Sequence, residues 1–176
     1  MPTRHAPAPL DLGASLLSAL ATSERITQYL LDALPAGVWR AETPGEGRTV
    51  AAVVAHLHNV RLMWLKVAAQ GARQPAQLDK AKVTLAQARK ALAASHAAIA
   101  KLVAASLAGD GRIRNFPPDV GAFVAYLVAH DAHHRGQLCM LCRQLGHRLP
   151  NAVTFGMWEW NKRRQEAPTA ISPGAA

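Results

Sequence analysis

The run His130-Asp131-Ala132-His133-His134-Arg135-Gly136-Gln137 lies inside a segment, residues 119–145, whose apolar spacing predicts one long helix. At about 3.6 residues per turn, His130 and His134 stack on the same helical face, roughly 6 Å apart, and can share one metal ion. Each residue turns the helical wheel by about 100°, so Phe123, Leu127, His134, Gln137 and Leu141 all fall within roughly 60° of His130. That face is mostly apolar and is expected to point into a helix bundle. His133 lies at its edge, and Asp131 and Arg135 point well away from it. Two imidazoles on a core stripe are commonly hydrogen-bonded core residues. A metal site needs a third ligand from elsewhere in the chain.

The remaining segments read as helices as well. Half of the 176 residues are hydrophobic and alanine dominates them; alanine favours helix, and β-branched runs typical of strands are missing. Residues 11–34 predict a first helix, closed by Pro35 and Gly37. A second starts at Thr49, a side chain suited to an N-cap, and ends before Gly71. A third, alanine-rich helix begins near Leu78 or Thr84 and stops at Gly109-Asp110-Gly111. Pro117 and Pro118 lead into the fourth, with Asp119 as its N-cap and Gly146 at its end. The expected fold is all-α, a four-helix bundle with a short extra C-terminal segment around Trp158 and Trp160. Residues 10–165 form its single domain. Residues 1–9, with three prolines, are expected to be a flexible arm, and residues 166–176 a disordered tail.

Composition narrows the functional classes. The formal charge is +9, but the cations are scattered and no basic run alternates with aromatics. A solvated basic surface is therefore expected, with no specific nucleic-acid binding. Two cysteines exclude a disulfide framework and fit a reducing cytoplasm. No signal peptide is read, and no stretch approaches 18 uninterrupted apolar residues, so no membrane association is expected.

A source for the third ligand is the segment Ala55-His56-Leu57-His58-Asn59 in the second helix. Its apolar stripe is read as Val50, Val53, Leu57, Val60, Trp64 and Val67. His56 flanks that stripe. His58 lies about 120° from its centre and is expected at the surface or at a helix contact. If the second and fourth helices are neighbours, His56 completes a three-histidine set with open positions for water or substrate. The wheel does not by itself exclude His58 or His133.

Two stretches, TVAAVVAHLHNVRLMWLK over residues 49–66 and FPPDVGAFVAYLVAHDAHHRGQLCMLCRQLG over residues 116–146, resemble the DinB/YfiT-like superfamily of metal-binding four-helix bundles. The H-x-x-x-H-R-G-Q core is the more specific of the two motifs. The resemblance places a metal triad on His56, His130 and His134. It implies one divalent ion, zinc or nickel, and a homodimer. It also implies an activity like that of thiol-dependent transferases, with a small-molecule thiol activated by the metal and passed to an electrophilic acceptor. The alternative is a non-catalytic metal-binding module for stress response or interaction, which a closed fourth ligand would favour.

Other residues carry competing readings. Cys139 and Cys142 form a mid-helix C-x-x-C, without the strand-turn-helix setting of a redox site, and read as buried structural cysteines. Gln137 reads either as a group orienting an imidazole or as a helix-helix contact. Arg61 meets either an anionic substrate or a carboxylate in a structural salt bridge. No buried carboxylate is conspicuous near the triad, which favours thiol activation over hydrolysis. Trp64, Tyr126, Trp158 and Trp160 read as core or dimer contacts, and His5, His96 and His147 have no assigned role.

Overall fold

The computed structural model describes residues 9–168 apart from residues 46, 70 and 72. His5, most of the N-terminal arm and most of the C-terminal tail lie outside the described residues. The elements in chain order are α1 (Leu12–Asp32), α2 (Val50–Ala68), α3 (Leu85–Ala108), β1 (Arg112–Ile113), β2 (Phe116–Asp119), α4 (Val120–Gln144), α5 (Asn151–Gly156) and α6 (Trp160–Glu166).

Each long helix starts at a side chain that accepts an otherwise unpaired first-turn amide. Asp11 accepts from Ala14, Thr49 from Ala52, Thr84 from Gln87 and Asp119 from Ala122. At Thr84 the Gln87 side chain accepts in return from the Thr84 amide, a complete capping box. Of the two starts considered for the third helix, the chain uses Thr84.

The all-helical reading did not foresee the hairpin. β1 and β2 pair antiparallel, Ile113 opposite Phe116. Asn115 makes the turn with φ 61°, a left-handed conformation that asparagine tolerates better than most residues. The C-terminal segment folds as α5 and α6 rather than one piece. α6 lies against α1, where the Arg163 guanidinium sits 4.1 Å from the centre of the Tyr29 ring and Arg25 donates to Glu166 at 3.0 Å. A Cβ at position 156 would collide with the Tyr29 ring, so only glycine permits this approach.

α1 packs on α3 and α4, and α2 packs on the same two helices. α1 and α2 therefore occupy opposite corners and face each other across the bundle. By length and hydropathy α3 could cross a membrane; here one face of it, with Leu92, Ile99 and Val103, is buried in the bundle.

The apolar core is in two parts. One contains Leu30, Val50, Val54, Leu57, Leu92 and Leu138; the other contains Leu20, Leu65, Ile99, Val103, Phe123 and Leu127. Between them lies a layer of buried charge. Glu24, Arg61, Asp131 and Arg135 are 4, 4, 2 and 8% exposed. Arg61 Nη1 lies 2.7 Å from Glu24 Oε2, and its Nη2 lies 2.7 Å from Asp131 Oδ2. Nη1 also donates to the Leu92 carbonyl at 3.1 Å. Arg135 donates to the Ser23 carbonyl and hydroxyl and to Thr27 Oγ1 at 3.0–3.2 Å. Two cations and two anions balance, and all four long helices contribute a partner. Buried charges persist only when paired and hydrogen-bonded in this way.

This layer decides between readings that the sequence left open. Asp131 and Arg135 do turn away from the ligand face of α4, and both enter the bundle. Arg61 meets carboxylates of the chain itself. His58 is fully buried and its Nε2 lies 3.0 Å from the Ala76 carbonyl. The buried face of α2 runs through Val54, Leu57, His58, Arg61 and Leu65, about a quarter-turn from the stripe read off the apolar residues alone. The polar members of that face hid it.

Candidate metal centre

The antiparallel run of α2 against α4 brings His56 to His130 and His134, while further along Trp64 meets Phe123 and Tyr126. Ring centres are 5.5 Å apart for His56–His130, 4.8 Å for His56–His134 and 4.5 Å for His130–His134. One potential ligand nitrogen from each lies within 4.8 Å of the others. Among the described residues this is the cluster of histidine, cysteine and carboxylate groups that could hold a metal ion.

The His130 and His134 Nε2 atoms are 3.2 Å apart. Two nitrogens sharing a tetrahedral ion at about 2.0–2.1 Å would stand roughly 3.3 Å apart, so this pair is already spaced for a shared ion. The outer nitrogens support the same orientation. His134 Nδ1 lies 2.7 Å from Gln137 Oε1. An amide oxygen can only accept, so Nδ1 carries the proton and the Nε2 lone pair faces the cluster. Gln137 Nε2 in turn donates to His133 Nε2 at 3.0 Å. The Gln137 amide thus fixes the His134 ring, and His133 stays exposed outside the cluster.

His130 Nδ1 faces Asp131 Oδ1 at 3.9 Å, too long for a direct hydrogen bond. That oxygen is buried and has no hydrogen-bond partner. Burial alone would raise the Asp131 carboxyl, but Arg61, His130 and Arg135 outweigh it and hold its pKa at about 2. The expectation that no buried carboxylate lies near the triad is therefore corrected. Asp131 is such a group, on the side of His130 away from the other two imidazoles and already paired with Arg61. It faces the outer nitrogen of His130 without bonding to it, and it is poorly placed as a base.

Burial is the main cause that lowers the His56 pKa to about 4, with His134, Arg48, His130 and Lys80 adding repulsion. Burial likewise lowers His134, partly opposed by its bond to Gln137. Both are neutral at physiological pH, the form in which imidazole binds metal. A stability consequence follows. The unfolded value for His56 is 6.5 and the folded value about 4, so between them the unfolded chain holds more protons. Stability of the metal-free protein should fall as pH is lowered through that window. Urea midpoints at several pH values should show this fall, and His56→Ala should make it shallower. An unchanged slope in the variant would contradict the placement of His56.

The remaining residues singled out in the sequence lie away from the cluster. Cys142 is buried and Cys139 half-buried; both are free, and burial raises both thiols, which keeps them protonated and unreactive. His96 on α3 faces the buried charges of Glu24, Arg61 and Asp131. Trp64 packs edge-on against Phe116, Phe123 and Tyr126, whereas Trp158 is 82% exposed and is no core residue.

Comparison with known proteins agrees with this architecture. The family model described as DinB family matches residues 8–166. A 48-residue stretch is 40% identical to the uncharacterized protein YrdA of Bacillus subtilis (strain 168), covering 27% of this chain and 29% of that protein. The matched stretch thus spans less than a third of that relative, and no solved structure matches.

Proposed function

This chain belongs to the DinB family, and we propose that it holds one divalent ion, zinc or nickel, through His56, His130 and His134 and activates a low-molecular-weight thiol for transfer to an electrophile. The observation that carries the reading is the convergence of three imidazoles without a fourth protein ligand among the described residues. Three histidines leave a position open to an incoming group, the arrangement of catalytic rather than closed structural sites. A divalent ion bound there lowers the pKa of a thiol or water it receives. The chain's own part is to keep His56 and His134 deprotonated by burial and to orient His134 through Gln137. Asp131 is locked to Arg61 at 2.7 Å, so among the described residues no free carboxylate stands ready at the triad to deprotonate a water, and a thiol is the better nucleophile.

Cobalt substitution tests this. Protein loaded with Co²⁺ and titrated with 2-mercaptoethanol should develop a saturable thiolate-to-cobalt absorption band, and His134→Ala treated identically should not. Cobalt bound without any response to thiol would overturn thiol activation and leave only a closed metal site.

A further inference from the structure

A cleft of about 400 Å³ opens beside the triad on the side of the α2 N-terminus, where Arg48, Val53, His134, Gln137, Met140 and Leu141 form most of its wall. His134 is the point at which the cleft meets the cluster. Its floor is apolar, from Val53 and Leu141, and Gln137 is already committed to His133 and His134. Arg48 is the one charged group in this wall. It is exposed, and among the described residues no carboxylate lies within ion-pair distance of it. Its charge is nevertheless felt at both His56 and His134, and that of Lys80 is felt at His56. The approach to the centre is therefore positive, and Arg48 offers a guanidinium that no carboxylate of the described residues pairs.

We propose that this cleft is the subsite for a carboxylate-bearing ligand, with Arg48 pairing the carboxylate while the ligand's reactive sulfur reaches the centre beside His134. A planar guanidinium matches a carboxylate by two parallel N–H···O bonds. The apolar walls of Val53 and Leu141 take the short carbon chain between the two ends. This deepens the thiol reading above and rests on it.

The test uses the cobalt-loaded full chain and two probes of equal length, 3-mercaptopropionate and 3-mercaptopropionamide. Dissociation constants come from the thiolate-to-cobalt band. Comparing the ratio of the two constants between proteins cancels the intrinsic difference between the two thiols. The expected result is a ratio favouring the carboxylate by about tenfold more in the native protein than in Arg48→Gln. Arg48→Glu should lower carboxylate affinity further. An equal ratio in native protein and Arg48→Gln overturns the subsite while leaving thiol activation standing. A native protein that binds cobalt but gives no band with either probe overturns both.

Discussion

Arg61→Ala is expected to destabilise the protein by about 3–5 kcal/mol, the usual cost of leaving a buried charge without its partner. Arg61 is 4% exposed and holds two carboxylates, Glu24 and Asp131, each at 2.7 Å. After truncation Arg135 remains as the only cation in the layer, so one of two buried anions must take a proton or draw in water. A typical domain has about 5–15 kcal/mol in total, so the loss is a large share of it. The companion variant Arg61→Leu with Glu24→Leu should recover most of it. That pair removes one charge of each sign, fills the space with apolar atoms and leaves Asp131 within the field of Arg135. Urea denaturation of both variants decides the matter. A cost below about 1 kcal/mol for Arg61→Ala would match an exposed ion pair and contradict the buried layer.

The layer also connects stability to the candidate metal centre. Asp131 pairs with Arg61 through one oxygen and faces His130 with the other. Its carboxylate is thus held ionised by the same arginine that ties α2 to α1. The carboxylate that faces His130 thus belongs to a network that spans the four long helices.

Much of the fold was legible because its signals are local. Asp11, Thr49, Thr84 and Asp119 each begin a helix, and a side chain reaching an amide three residues on needs nothing from the rest of the protein. The ligand face of α4 was legible for a similar reason, since the apolar neighbours of His130 and His134 set its direction. The inner face of the second helix was placed about a quarter-turn off because it carries His58 and Arg61, which a stripe drawn through apolar residues alone leaves out. Arg61 finds Glu24 and Asp131 only after the helices pack. One signal was available: Glu24 lies on the stripe of α1 that also carries Leu20 and Leu31, where an isolated acid calls for a cation opposite. The hairpin escaped because two residues pairing with four leave no alternating pattern to read. Arg48 was invisible as a subsite because only the antiparallel packing of α2 on α4 brings it beside His134.

The largest functional effect is expected at the triad. His56 arrives from α2 and the other two from α4, so each single alanine leaves at most two imidazoles. Removing a supporting group around a metal typically costs about 10–100-fold in affinity, and removing a ligand should cost more. Loss of the ion should also be visible as stability, because a metal that binds only the folded state at about 1,000 times its dissociation constant adds about 4 kcal/mol. Added zinc should therefore raise the melting temperature of the native protein and leave that of His134→Ala unchanged.

Metal content after loading and dialysis tests the central claim most directly, with the native protein measured beside His56→Ala, His130→Ala and His134→Ala. The account predicts about one divalent ion per chain in the native protein and a loss of roughly tenfold or more in occupancy for each folded variant. Full occupancy in all three variants would contradict it.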